Sequence, residues 1–148
     1  MKPRKLSVQG RAAKLLALRE HTRTELARKL KFDVESDSEL ARLLDGLEAR
    51  GYLSDRRFAE GLIDTKKNKF GPIKLAHELR QRGVGEEIIE PLVRGLRQDE
   101  LQVAKAVWIK KFGQAPRDAK EKAKQIRFLQ SRGFSLETIG KLLRFEEE

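Results

Sequence analysis

Few side chains in this sequence of 148 residues could carry out acid–base or nucleophilic chemistry. The chain has two histidines and no cysteine, which excludes a thiol nucleophile, a disulfide and a thiolate zinc site. His21 precedes a helix-starting signal and His77 lies beside Glu78, so either could act as a general base, but no activated nucleophile accompanies them. We interpret both as surface or helix-end histidines. An enzymatic function is therefore the least supported hypothesis for this sequence.

The carboxylates and glycines give no catalytic pattern either. Most of the 23 Asp and Glu residues stand at predicted helix starts or four residues from a Lys or Arg. These positions are typical of helix capping and surface ion pairs. The sequence also lacks a phosphate-binding glycine loop, an HExxH motif and a Rossmann glycine pattern. We expect no cofactor and no bound metal ion.

The basic residues carry the stronger functional signal. The chain contains 33 Lys and Arg and has a formal net charge of +10, which favours a polyanionic partner, nucleic acid before membrane. The net charge is +4 over residues 1–50, +3 over 51–98 and +3 over 99–148, from 12, 10 and 11 basic against 8, 7 and 8 acidic residues. A charge spread in this way suits a partner that is contacted along its length.

The basic residues are locally concentrated in three parts of the chain. The candidate contact residues are Arg23, Arg28, Lys66, Lys67, Lys69, Lys74, Lys110, Lys111, Lys120, Lys124 and Arg127, with Arg82 and Arg132 in reserve. Asn and Gln, which form paired hydrogen bonds with adenine, are scarce at the positions predicted to be exposed. We therefore expect contacts with the nucleic-acid backbone rather than sequence reading.

The elements that position these residues are predicted to be helices, with no convincing strand. Predicted helix starts recur with the same spacing, at Ser7, Thr22 and Ser36, then Ser54, Gly71 and Gly85, then Asp99, Asp118 and Ser135. This spacing predicts three tandem three-helix units, over residues 1–53, 54–98 and 99–148, the last with an acidic tail from Glu146. Each unit is too small to bury much surface alone, so we expect an elongated, curved all-α array.

Local signals predict how several helices begin and end. Capping boxes are predicted at Thr22, Ser36, Asp99 and Asp118, each with Glu or Gln three residues later. Pro91 conflicts with its helix, which must either start late or be kinked.

A repeated Leu-x-x-Arg-Gly pattern predicts Schellman helix ends at Gly51, Gly83 and Gly133. The residue after each glycine is expected to pack on the leucine one turn earlier, as Tyr52 on Leu47, Val84 on Leu79 and Phe134 on Leu129.

The N-terminal segment does not read as a targeting or membrane segment. Its apolar stretch AAKLLAL is interrupted by Lys14, so it is neither a signal peptide nor a membrane span. The absence of cysteine fits a reducing cytosol. We expect a cytoplasmic protein that does not bind membranes.

Four segments in order resemble the RecX family of recombination regulators. They are residues 19–30 (REHTRTELARKL), 51–60 (GYLSDRRFAE) continuing to 67–84 (KNKFGPIKLAHELRQRGV), 110–113 (KKFG) and 126–134 (IRFLQSRGF). The positions that match the family pattern in the second of these are Tyr52, Asp55, Arg57, Phe58, Gly71 and Pro72. The resemblance runs from about residue 11 to residue 144, which is nearly the whole chain.

This resemblance implies a cytoplasmic, non-enzymatic bacterial modulator of the recombinase RecA, built of three tandem three-helix repeats. Proteins of this family bind in the groove of the filament that RecA forms on single-stranded DNA. They reduce its ATP hydrolysis and strand exchange, limit or disassemble the filament, and also bind DNA directly. The expected partners are therefore RecA, its filament, and the backbone of single- or double-stranded DNA, with the protein acting as a monomer. The rival hypothesis is a stand-alone, sequence-nonspecific DNA-binding helical module.

Overall fold

The computed structural model describes residues 7–147, with side chains described as far as residue 144. Within this range the chain forms nine α-helices and no β-strand, which confirms the predicted all-α fold. The helices are α1 (Val8–Leu18), α2 (Arg23–Leu30), α3 (Asp37–Ala49), α4 (Asp55–Lys66), α5 (Pro72–Gln81), α6 (Glu86–Arg97), α7 (Glu100–Lys111), α8 (Ala119–Ser131) and α9 (Leu136–Glu147). None of these helices is both long enough and apolar enough to cross a membrane.

The helices pack in consecutive groups of three, and each group has its own apolar core. We refer to α1–α3, α4–α6 and α7–α9 as units 1, 2 and 3. The cores are centred on the fully buried Leu26 and Leu30 in unit 1, Leu79 and Ile89 in unit 2, and Leu129, Phe134, Ile139 and Leu142 in unit 3. Three small cores therefore support the chain instead of one thick one, as its low aromatic content favours.

The three Leu-x-x-Arg-Gly segments form the predicted Schellman ends. Gly51, Gly83 and Gly133 have φ of +80°, +88° and +91°. The next N–H donates to the leucine carbonyl in each case, over 2.9, 3.0 and 3.2 Å. Val84 and Phe134 are buried as expected, but the side chain of Tyr52 is 60% exposed. The packing predicted for Tyr52 is wrong because the chain leaves unit 1 at this joint, and Leu53 enters the core in its place.

The capping boxes are only partly as predicted. Thr22 and Glu25 form a complete box at the start of α2. Ser36 and Asp118 cap their helices, but the Glu three residues later accepts the N–H of the residue before the cap. Asp99 makes no side-chain cap, so its predicted box is wrong. Its φ of −103° and ψ of 4° are not extended, so its side chain cannot fold back over the first turn of α7.

Pro91 and the acidic tail also have defined places. Helix α6 begins at Glu86 and contains Pro91, so a late start is wrong. Pro91 is exposed, and the Glu87 carbonyl, which loses its usual helix bond, lies in an exposed residue that can meet water. The backbone of α9 continues to Glu147, so the tail predicted from Glu146 starts within that helix. The tail side chains and Glu148 lie outside the described residues.

Units 1 and 2 meet where the α5–α6 joint, residues 82–84, docks on the start of α2. The Thr22 hydroxyl donates to the carbonyl of Arg82 over 2.6 Å. The approach is so close that a Cβ on Gly83 would lie 2.2 Å from the Thr24 hydroxyl oxygen. The Asp55 carboxylate also accepts the Arg23 N–H over 2.8 Å. The positive φ of the helix end and the absence of a side chain therefore serve the packing of neighbouring units as well as the turn.

Units 2 and 3 meet in the equivalent way. The α8–α9 joint, residues 132–134, docks on the start of α5. The Gly71 N–H donates to the Arg132 carbonyl over 2.7 Å, and the Ile73 N–H donates to the Gly133 carbonyl over 3.1 Å. A Cβ on Gly133 would lie 2.5 Å from the Lys74 backbone nitrogen. One docking arrangement thus recurs between successive units.

Candidate nucleic-acid interface

The docking of unit 3 on unit 2 places Arg132 between two aromatic rings. Arg132 is the C-cap of α8, Phe128 lies one turn earlier on the same helix, and Phe70 directly precedes the N-cap of α5. The guanidinium carbon of Arg132 is 5.3 Å from the ring centre of Phe70 and 5.2 Å from that of Phe128. This arrangement requires both units, because the two rings belong to different ones.

Three lysines surround the same rings. The ammonium of Lys74 lies 4.6 Å from the ring centre of Phe70, and that of Lys66 lies 5.9 Å from it. The Lys111 ammonium lies 5.4 Å from the Phe128 ring centre. We call the set formed by Lys66, Phe70, Lys74, Lys111, Phe128 and Arg132 the basic–aromatic cluster. It brings together four of the basic residues selected from the sequence.

The cluster carries excess positive charge at its surface. Lys66 is neutralised by Glu78, with 2.7 Å between the ammonium and the carboxylate. Lys74, Lys111 and Arg132 make no ion pair with any residue in the described range. The half-buried rings hold these cations in place by cation–π attraction of about 0.5–1 kcal/mol each and leave them able to bind an anion.

The other cations predicted from the sequence fall into two groups. The exposed ones outside the cluster are Arg28 on α2, Lys67 and Lys69 near the start of α5, Lys110 at the end of α7, and Lys120, Lys124 and Arg127 on α8. Lys67 lies 3.4 Å from the Asp64 carboxylate and lines a cavity of about 330 Å³ between units 2 and 3. The structure leaves all seven accessible to solvent.

Arg23 and Arg82 are engaged within the protein. The Arg23 guanidinium pairs with Asp45 over 2.8 Å and with Glu48 over 2.9 Å, and these contacts join α2 to α3. Arg82 pairs with Glu25 over 2.9 Å across the contact between units 1 and 2. Both arginines therefore have a structural role that their sequence context did not indicate.

Glu25 is the carboxylate around which that contact is built. Burial alone would raise its pKa, but hydrogen bonds from Arg19, the Thr22 backbone N–H and Arg82 outweigh burial and lower the pKa to about 2. The carboxylate therefore stays charged at neutral pH. It accepts the Thr22 backbone N–H at the start of α2 and also pairs with Arg82 of the docked joint.

His21 lies at a helix end as predicted, directly before the Thr22 N-cap of α2, but it is not on the surface, because only 1% of it is exposed. Its Nδ1–H donates to the Arg19 carbonyl over 3.0 Å, and its Nε2 accepts from the Lys29 ammonium over 2.9 Å. Burial lowers the pKa of His21, and the backbone hydrogen bond opposes this only in part. The imidazole is therefore a neutral packing group, whereas His77 is exposed as predicted.

The phenylalanines of the cluster were missed as functional candidates. Each lies inside a basic segment of the sequence, as KNKF for Phe70 and IRF for Phe128, and this interleaving is the signal that could have identified them. A third ring, Phe112, packs edge-on against Phe128 at 5.4 Å. Within the described part of the chain, no group of three or more His, Asp or Glu residues could hold a metal ion.

Comparison with known proteins places this chain in a family. Residues 54–91 match the family model described as "RecX, second three-helix domain", and residues 98–143 match "RecX, third three-helix domain". The chain is 47% identical over 137 residues to the "Regulatory protein RecX" of Chromobacterium violaceum, covering 93% of this chain and 89% of that protein. It is 41% identical over 142 residues to the protein of the same name from Leptothrix cholodnii, covering 96% and 90%.

Solved structures with lower sequence identity support the same fold. A structure described as "Crystal structure of RecX from Lactobacillus salivarius" superposes with a TM-score of 0.76 at 19% identity and covers 95% of this chain and 94% of that one. Another, described as "Crystal structure of regulatory protein RecX", gives a TM-score of 0.78 at 22% identity over 91% of this chain and 70% of that one. From the family models and the relatives above 40% identity, this chain belongs to the RecX family of regulatory proteins.

Proposed function

We propose that this protein regulates the recombinase RecA by binding in the groove of the RecA filament on single-stranded DNA. It reduces the ATP hydrolysis and strand exchange of RecA and so modulates recombination and DNA repair. Membership of the RecX family supports this function. In this proposal the protein acts in the cytoplasm as a monomer, has no catalytic activity of its own, and divides into units at residues 1–53, 54–98 and 99–148.

The observation that carries the proposal is the position of Arg132 between the Phe70 and Phe128 rings, with Lys74 and Lys111 beside them. These three cations lack a carboxylate partner among the described residues and are held by rings from two units. Phosphates of a nucleic-acid backbone fit such a surface, because each fixed cation that meets a phosphate releases counterions condensed on the nucleic acid. We propose that the cluster contacts DNA in the filament.

The remaining exposed candidates extend this surface in the proposal. Lys67 and Lys69 are close in sequence to Phe70, whereas Lys110, Lys120, Lys124 and Arg127 belong to unit 3, as Phe128 does. Arg28 lies in unit 1 and would make a separate contact. Arg23 and Arg82 are proposed as structural residues instead, because their charges are already paired.

The proposal is tested with the ATPase activity of RecA on single-stranded DNA, measured with substoichiometric amounts of this protein. The unmodified chain should inhibit. The double variant Lys74→Glu and Arg132→Glu should require at least about tenfold more protein for the same inhibition, since two phosphate contacts become repulsive. The matched control is Arg56→Glu with Arg94→Glu, which changes the net charge equally at exposed sites away from the cluster.

Two results would contradict the proposal in different ways. If the unmodified chain leaves the RecA ATPase unchanged but binds bare DNA with strong salt dependence, it is a stand-alone DNA-binding module. If the control variant loses as much inhibition as the cluster variant, the basic–aromatic cluster is not the contact surface, and only overall charge matters.

A further inference from the structure

Unit 1 contains an open groove between its first and third helices. Its volume is about 710 Å³, compared with about 330 Å³ for the cavity between units 2 and 3. Its walls are mostly apolar, with Leu16 from α1 and Leu43 and Leu47 from α3. Ala13 and Ala17 leave it shallow and accessible, and the exposed Tyr52 stands at one end.

The equivalent faces are covered in units 2 and 3. There the first and third helices pack directly against each other, α4 on α6 and α7 on α9, whereas α1 and α3 make no comparably extensive contact. Helix α2 packs against both α1 and α3 and so holds them apart on one side only. In consequence Leu16, Leu43 and Leu47 stay partly exposed. The groove lies where a direct contact between α1 and α3 would otherwise cover them.

The rim of this groove is positively charged. Arg42 and Arg50 are exposed, line the groove, and make no ion pair with another described residue. Arg57 also lines it, but its charge is balanced by the neighbouring Glu20, with which it forms an ion pair. The groove therefore combines an apolar floor with two guanidinium groups that lack a carboxylate partner among the described residues. A ligand that fits it must offer both apolar and acidic side chains.

We propose that this groove binds an acidic amphipathic segment of a protein partner. Apolar side chains of that segment cover Leu16, Leu43 and Leu47, and its carboxylates meet Arg42 and Arg50, an arrangement typical of helix-in-groove recognition. A nucleic-acid backbone suits the groove poorly, because an apolar floor cannot replace the hydration of phosphates. A second copy of this chain suits it poorly as well, since it would bring a net charge of +10 to a basic rim.

This inference goes beyond the proposed DNA contact, because it concerns a different unit and a different ligand chemistry. It divides the molecule into a nucleic-acid surface at the contact between units 2 and 3 and a protein-binding surface in unit 1. The two surfaces can therefore be lost independently by substitution.

The experiment measures fluorescence anisotropy of three labelled probes with the full chain. The probes are a helical peptide with Leu on one face and Glu on the other, the same peptide with Lys in place of Glu, and single-stranded DNA. The acidic peptide should bind and the Lys peptide should not. The variant Arg42→Glu with Arg50→Glu should weaken binding of the acidic peptide by about five- to tenfold, since two attractive charge pairs at the surface become repulsive.

A second variant tests the apolar part of the groove without disturbing the core. Ala13→Trp places a large ring in the groove from an exposed position, and it should also weaken binding of the acidic peptide. The matched charge control is Lys14→Glu with Arg94→Glu, two exposed sites outside the groove, and it should change the affinity less than twofold. All variants should keep their affinity for single-stranded DNA.

Three outcomes would overturn the inference. These are absence of binding of the acidic peptide, an equal loss in the charge control, or displacement of the bound peptide by single-stranded DNA at the affinity measured for that DNA alone. The RecA ATPase measurement separates this result from the proposed function. If the unmodified chain inhibits the RecA ATPase but does not bind the acidic peptide, the proposed function is supported and the groove is not a binding site for such a segment.

Discussion

The two contacts between units share one geometry and differ in charge. In both, an Arg-Gly joint docks on the N-terminus of the preceding unit's second helix, with Thr22 and Arg82 in one contact and Gly71 and Arg132 in the other. The third residue of that helix is Glu25 in unit 1 and Lys74 in unit 2. With this change from carboxylate to ammonium, a partly buried ion pair in one contact is replaced by a patch of cations in the other.

The two equivalent arginines therefore differ in what their charge contacts. Arg82 is neutralised by Glu25, so its charge stabilises the contact between units 1 and 2. Arg132 finds no carboxylate at the equivalent position and lies against two rings instead. Equivalent residues in a repeat can thus be assigned opposite roles once their partners are known.

The largest expected effect concerns the glycines of the joints. Gly133→Ala should lower the free energy of unfolding by more than about 3 kcal/mol, because left-handed strain of roughly 1–2 kcal/mol adds to a clash of the new Cβ with the Lys74 backbone. Gly51→Ala has the same strain but open space around it, so it should cost only about 1–2 kcal/mol. Urea unfolding of both variants measures the difference, and equal losses would show that docking does not depend on the glycine.

The second effect concerns the third residue of the docked helix, which is Glu25 in α2 and Lys74 in α5. Glu25→Gln should lower the free energy of unfolding by roughly 2 kcal/mol, because Arg19 and Arg82 lose a shared, largely buried partner. Lys74→Gln should lower it by less than about 1 kcal/mol, because Lys74 is exposed and loses only its cation–π contact with the Phe70 ring. Thermal unfolding at neutral pH checks both, and a larger loss for Lys74→Gln would reverse the assignment of roles.

A third effect is the pH dependence of stability. The pKa of Glu25 is lowered to about 2, so its stabilisation is fully present above pH 4.5 and is lost as the pH falls from 4.5 towards 2. The pKa of His21 is also lowered, so stability should begin to fall below pH 6.5, where only the unfolded histidine binds a proton.

The variant His21→Gln isolates the histidine part of this pH effect. It should remove the loss of stability that begins below pH 6.5 and keep the loss below pH 4.5. Unfolding midpoints measured from pH 8 to pH 3 test this. If the variant and the unmodified chain show the same pH dependence of stability above pH 4.5, His21 binds a proton equally well in the folded and the unfolded chain.

Local features of this fold could be predicted from the sequence. The Schellman ends at Gly51, Gly83 and Gly133 and the Thr22 box depend on residues within one turn, so their patterns were sufficient. The capping box predicted at Asp99 was wrong, because the chain passes from α6 to α7 without the extended residue that a cap requires.

The features that were not predicted depend on distant contacts. Arg82 and Glu25 are 57 residues apart in sequence, and no local pattern pairs them. The burial of His21 was not predicted, because its partner Lys29 lies eight residues away in sequence. The Phe70 and Phe128 rings meet only through Arg132, so the cluster emerges from the contact between units 2 and 3 rather than from either segment.

The most direct test of the account compares the equivalent arginines in one measurement, the affinity for single-stranded DNA as a function of salt. Arg132→Gln should weaken binding and reduce the salt slope by about 1. Arg82→Gln should lower stability but leave the affinity and the slope of the folded protein unchanged. Equal effects of the two substitutions on DNA binding would contradict the division between a structural and a nucleic-acid contact.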